Sequence, residues 1–226
     1  MKTVQMTAAE IAARTARFDT LQPMSTMKDN QRVAQAAKDL IFARKIMPIV
    51  LERTKNPFGD AAAIFGAGGL TMNISVCPPG QGPGLHCHHN TYETFFVLEG
   101  AFEFHLGDRG EDRVRLNQWD TFSCPPGVCR GFVNVHDRDS VLLTVITGDV
   151  HARDDVTLPP IMAERLEAVQ PGVLPEFEAL GFAGDALHQL RRDPEPPRPV
   201  GPGERAVIVN HPRSAGPSCA RRPSSS

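Results

Sequence analysis

The sequence predicts a mostly β protein: one β-sandwich or barrel in the middle of the chain, with helical extensions on both sides. Three observations carry this. The middle third holds short segments rich in β-branched and aromatic residues, separated by Gly, Pro, Asn and Asp. The residues before it carry apolar positions at helical spacing. The residues after it return to a helical pattern and then give way to a tail rich in Pro, Gly, Ser and Arg. The boundaries drawn from these changes are a helical N-terminal extension over 1–60, a β-barrel over 61–150, a helical C-terminal extension over 151–192 and a disordered tail over 193–226.

In chain order, "KDNQRVAQAAKDLIFARKI" places Val33, Ala36, Ala37, Leu40, Ile41 and Ala43 at helical spacing. Pro48 ends any helix there, and "IMPIVLER" reads as extended. "GAGGL" has no P-loop lysine or dinucleotide-binding spacing and reads as a turn feeding a strand. "GGLTMNISVCPPG", "TYETFFVLEGAFEFHLGD", "DRVRLNQWDTFSCPPGV" and "SVLLTVITGDV" are the strand-forming segments. "PPIMAERLEAV" opens with prolines suited to a first helical turn, and Ile161, Leu166 and Val169 give it an apolar side. "PEFEALGFAGDALHQLRR" reads as a further short helical pair, and "AVIVN" in the tail as an edge strand.

Composition narrows the function classes. With 226 residues and 41% hydrophobic content, the chain can build one sizeable core. A net charge of −2, with no basic face or run, argues against nucleic acid and anionic membrane as partners. No apolar run approaches the roughly 18 residues of a membrane span. "MKTVQMTAAEIAARTARF" lacks the continuous apolar stretch of a secretory signal. Five cysteines form no paired framework. The expectation is a cytoplasmic protein with reduced thiols.

The chemistry concentrates in "HCHHNTYE". On a strand, alternate side chains share a face, so His86 and His88 point one way while Cys87 and His89 point the other. Asn90 and Thr91 are turn-prone, and a tight return would bring Glu93 beside the two histidines. Two imidazoles and one carboxylate form a first shell suited to Fe(II), Mn(II), Ni(II) or Zn(II), with positions left open for substrate and O₂.

Gly80, His86, His88, Glu93 and Gly100 stand at the spacing of the first cupin motif, and Pro125, Gly127 and Asn134 at that of the second. Over about residues 65–147 the chain therefore resembles a single-domain bacterial cupin. The resemblance implies a double-stranded β-helix, the jelly-roll cupin barrel, with His86, His88 and Glu93 as metal ligands. It also implies a homodimer. Two positions depart from the pattern. Trp119 stands where the second motif opens with Gly, and Arg130 stands where the fourth ligand, a histidine, would be. A guanidinium stays protonated and cannot ligate a metal.

Arg130 leaves two readings open. In one, His86, His88 and Glu93 keep a divalent metal, with Fe(II) favoured and Zn, Ni or Mn as alternatives, and Arg130 faces a small anionic, oxygen-rich or aromatic substrate. Arg130 and Glu93 are then the catalytic residues. At ~6 Å and an effective dielectric of about 20, a +1/+2 pair costs roughly 5 kcal/mol, so metal affinity falls below that of a four-ligand cupin. The other reading pairs Arg130 with Glu93 in a metal-free cupin that binds a small anion. Cupins include dioxygenases, isomerases, decarboxylases, lyases and non-catalytic proteins, and fold does not choose among them. Bound iron points to a dioxygenase, a redox-inert metal to Lewis-acid isomerase or lyase chemistry.

The remaining residues have plainer readings beside their functional ones. Phe95, Val97, Phe102, Phe104, Phe122 and Phe132 read as barrel core ahead of a substrate pocket. His105 and Tyr92 face outward by strand parity. His136 has the parity of a substitute ligand but lies at a strand end. Cys124 and Cys129 flank "PPGV" and read as structural ahead of a redox pair or second metal site.

Overall fold

The computed structural model describes residues 3–24, 30–52, 62–66, 68–148, 156–179, 181 and 182. The expected tail over 193–226, its "AVIVN" strand and the second half of the last helical pair lie outside these residues. Near the N-terminus α1 (Ala8–Ala12) opens with a capping box, in which Thr7 and Glu10 satisfy each other's backbone N–H groups. α2 (Gln35–Ile41) is shorter than the spacing predicts, because Ala34 offers no side-chain cap and Phe42 is already extended.

The chain then becomes a strand. β1 (Lys45–Glu52) lies inside the segment expected as a helical extension, yet it pairs antiparallel with β3 (Leu70–Cys77) and parallel with β2 (Ile64–Gly66). Pro48 is tolerated because the register against β3 shifts between Pro48 and Val50, and pairing with β2 begins only at Val50. The strands that follow are β2 (Ile64–Gly66), β3 (Leu70–Cys77), β4 (His86–His88), β5 (Thr91–Glu99), β6 (Ala101–Leu106), β7 (Asp112–Asn117), β8 (Thr121–Cys124), β9 (Cys129–Asn134), β10 (Ser140–Gly148) and β11 (Val156–Thr157). Two helices close the described chain, α3 (Pro160–Val169) and α4 (Leu174–Ala179).

The strands form two sheets, ordered β2-β1-β3-β10-β5-β8 and β11-β4-β9-β6-β7. This is the double-sheet jelly roll that the resemblance implies. Alternation decides what faces inward. Thr91, Glu93, Phe95 and Val97 of β5 are buried, while Tyr92 is exposed. Between the sheets, Phe95, Phe102, Phe104 and Phe132 form the aromatic centre of the core, with Phe122 against it. Gly100 alone links β5 to β6 across the two sheets. Its φ is +81°, and a Cβ there would run into the Ser140 hydroxyl.

Two further clusters cover the sandwich. Leu21, Met47 and Ile74 form one on the outer face of the larger sheet. The other joins Val33, Ala37 and Ile41 to Met162, Leu166 and Phe177, with Leu85 beside β4 among them. α3 buries Met162, Ala163 and Leu166; Val169, expected on its apolar side, is 44% exposed. Among the described residues, no helix is long and apolar enough to cross a membrane.

Candidate metal centre

β4 and β5 supply three side chains to one point. They are joined by His89 and Asn90, but they do not pair with each other. β4 lies in the smaller sheet between β11 and β9, and β5 lies in the larger one between β10 and β8. The return after His88 therefore crosses from sheet to sheet, and Glu93 meets the two histidines across the barrel interior. His86 Nε2 and His88 Nε2 each lie 3.9 Å from Glu93 Oε2. One ligand-type atom from each of the three residues falls within 4.8 Å of the others.

The neighbours of the histidines fix their rings. His86 Nδ1 lies 2.8 Å from the Gly84 carbonyl, which can only accept, so Nδ1 carries the proton of the neutral ring. Burial first, then the Arg130 charge, lowers the His86 pKa to about 3, so the ring is neutral at physiological pH. Its Nε2 lone pair thus points at the carboxylate. His88 Nδ1 lies 3.0 Å from the Thr91 hydroxyl, which leaves its Nε2 toward the same oxygen. Such outer hydrogen bonds are how ligating imidazoles are usually oriented.

Arg130 stands opposite His86 in the β4–β9 register and is 0% exposed. Its Nε donates to Glu93 Oε2 at 2.8 Å, and Nη2 lies 2.7 Å from the same oxygen without making a well-aligned hydrogen bond. Nη1 reaches the Val128 carbonyl at 3.4 Å. The guanidinium therefore approaches one carboxylate oxygen from the side. Burial would raise the Glu93 pKa. The charge of Arg130 outweighs it and holds Glu93 below the ordinary carboxylate range.

The donor set fits a divalent cation. A neutral imidazole lone pair and an ionised carboxylate facing each other repel unless a positive charge joins them, and Arg130 sits on one side of that oxygen only.

His136 pairs instead with Asp137, at 3.0 Å. His105 bonds outward to Glu103 at 2.9 Å. His151 and His188 lie outside the described residues. The phenylalanines fill the core, as their plainer reading has it. A set missed in the sequence is Thr71, Asn73 and Ser75 on β3 with Thr144 on β10. All four are buried on the face that also carries Cys77 and Leu142 into the inter-sheet core. The signal was present in "LTMNISVC", where polar residues alternate with apolar ones, but the alternation does not say which set turns inward.

Fold and site together define a cupin-type barrel with a His-His-Glu cluster. Residues 73–146 match the family described as Cupin domain. Among solved structures, it is similar to a predicted oxalate decarboxylase from Thermotoga maritima, with 27% identity and a TM-score of 0.32 over 34% of this chain and 65% of that one. The cupin domain of Schizosaccharomyces pombe Cnp3 gives 13% identity and a TM-score of 0.35 over 46% of this chain and 65% of that one. The DMSP lyase DddQ from Ruegeria pomeroyi DSS-3 gives 23% and 0.44 over 58% of each chain. This chain thus spans less than two thirds of the length of each. No curated protein matches it.

Proposed function

We propose that the chain is a metal-binding cupin in which His86, His88 and Glu93 hold a divalent cation, and that it is a metalloenzyme acting on a small, oxygen-rich, anionic substrate. The observation that carries this is the approach of two imidazole Nε2 atoms, from the half-buried His86 and the buried His88, to one carboxylate oxygen, each at 3.9 Å. When bound, such an ion supplies Lewis acidity, and Fe(II), the favoured ion here, adds oxygen chemistry of the dioxygenase kind.

The chain's own residues set the rest. Arg130 neutralises Glu93 and fixes its orientation, which makes it a positioning residue rather than a fork held out to substrate. With that pair summing to zero, the cation's charge is left for a substrate anion to balance. Thr71, Asn73, Ser75 and Thr144 carry hydroxyl and amide groups on the inward face of the barrel, which a substrate rich in oxygen can hydrogen-bond where an aromatic one cannot. A homodimer is part of this reading, on the cupin resemblance alone.

A second reading rests on the 2.7 and 2.8 Å contacts of Arg130 with Glu93. Here the ion pair itself completes the site, and the protein is a metal-free cupin for a small anion. Elemental analysis of the purified full chain, before and after supplementation, separates the two. The metal reading expects close to one equivalent in the wild type and none in the H86A/H88A double variant. It also expects Arg130→His, which adds a fourth imidazole, to bind the same ion at least ~10-fold more tightly in calorimetric titration. A wild type that stays empty after supplementation overturns the metal reading in favour of the second.

A further inference from the structure

Cys87 lies between His86 and His88 on β4, and its side chain takes the opposite face of that strand. It stands directly across from Cys129 of β9 in the antiparallel register. The Cys87 thiol is directed at the His88 carbonyl, at 3.8 Å. Cys87 and Cys129 are 4% and 9% exposed, and neither joins a hydrophobic cluster, whereas Cys77 and Cys124 both pack into the inter-sheet core. Cys124 is directed at the Pro125 and Val128 carbonyls, at 3.8 and 3.7 Å. The cysteine that the "PPGV" turn brings near Cys129 in sequence is therefore not the one that meets it in space.

Residues directly opposite on antiparallel strands hold their Cβ atoms about 4.5–5.5 Å apart. A disulfide needs about 3.5–4.5 Å, so the adjustment is on the order of 1 Å. β4 can make it: three residues long, it pairs through two of them with β9 and two with β11.

We propose that Cys87 and Cys129 form a reversible dithiol–disulfide pair, oxidised by a hydroperoxide, across β4 and β9 on the outer side of the candidate metal centre. One sulfur, as thiolate, attacks an oxygen of hydrogen peroxide. The O–O bond breaks, a sulfenic acid forms, and the hydroxide released leaves as water with the proton that thiol gave up. The second sulfur attacks the sulfenic sulfur, the S–S bond forms, and the departing hydroxide takes the second thiol's proton. Two thiols are oxidised by two electrons in all, and one peroxide becomes two waters. The pair stands whether or not His86 and His88 hold a metal.

The test oxidises the purified full chain with hydrogen peroxide, removes the excess with catalase, unfolds the protein in iodoacetamide and maps the peptides. The expected result is that two of the five cysteines escape alkylation and that one linked peptide joins Cys87 to Cys129. Dithiothreitol should restore all five labels. Cys87→Ser and Cys129→Ser should each fail to lose a pair of labels under the same treatment. Full labelling of the oxidised wild type overturns the proposal. So does a linked peptide carrying Cys77, Cys124 or Cys219, or the addition of oxygen at Cys87 without a link.

Discussion

Glu93 and Arg130 hold each other inside the barrel, and removing either strands a buried charge. Glu93→Ala should cost about 3–5 kcal/mol in urea unfolding of the metal-free protein. The double variant Glu93→Ala/Arg130→Met should cost less than the sum of the singles. Additive losses would mean the two do not interact. The pair also sets an acid limit. Glu93 has its folded pKa held below 4.5, so its contribution is present above that pH and is lost as pH falls. Glu93→Ala should flatten the acid side of the stability profile. Trp119 is a separate strain. Its φ is +75° and its side chain is 66% exposed, so only a ring contact with Phe96 rewards it. A left-handed non-glycine residue costs about 1–2 kcal/mol, and a β-branched one more. Trp119→Gly should therefore exceed Trp119→Val in stability by at least about 1 kcal/mol, and equal unfolding midpoints would sink the idea. Spacing made Trp119 and Arg130 legible as departures from a pattern. Whether Arg130 would face substrate or Glu93 was not legible, because that depends on a contact between β5 and β9 across the barrel.

The strands show where sequence patterns stop informing. "TYETFFVLE" alternates cleanly, so the inward face of β5 could be read. The crossing of the chain between sheets after His88 could not, since hairpin and crossover place His86, His88 and Glu93 with the same spacing. β3 is the sharper case. Its polar set turns inward because Met47 and Leu21 cover the apolar side with Ile74, and both come from segments read as extension rather than barrel. Asn134 ends β9 and ties three elements together. Its amide donates to the Cys77 carbonyl at 2.8 Å and the Arg138 carbonyl at 2.7 Å. Its carbonyl oxygen accepts from the His136 N–H and the Ser140 hydroxyl, both at 2.8 Å. The four bonds tie the end of β9 to the end of β3, the start of β10 and the turn between β9 and β10. Asn134→Ala should cost about 2–4 kcal/mol, because buried partners are left unsatisfied. Asn134→Asp should cost more still, since a carboxylate oxygen would then face two carbonyls. If thermal melts show the aspartate variant to be the milder, the network is not what holds this corner.

Over the whole molecule, the three helices α2, α3 and α4 are fastened to the barrel rather than appended to it. α2, α3 and α4 share one cluster with Leu85, the residue before His86. The helical patterns were legible on both sides of the barrel. Their meeting was not, because the segments concerned lie more than a hundred residues apart in the chain and nothing local couples them. A shared cluster has a thermodynamic consequence. Leu166 is fully buried within it, and Leu166→Ala should cost about 2–5 kcal/mol by leaving a cavity. If helices and barrel unfold as one cooperative unit, that loss must appear equally in both. Far-UV circular dichroism near 222 nm follows the helices, and Trp119, the single tryptophan, follows the β7–β8 turn of the barrel. Both signals should shift to the same lower urea midpoint in the variant. A circular dichroism transition that moves while Trp119 fluorescence stays at the wild-type midpoint would make the helices a separate unit, and Leu85 would then be a contact without coupling.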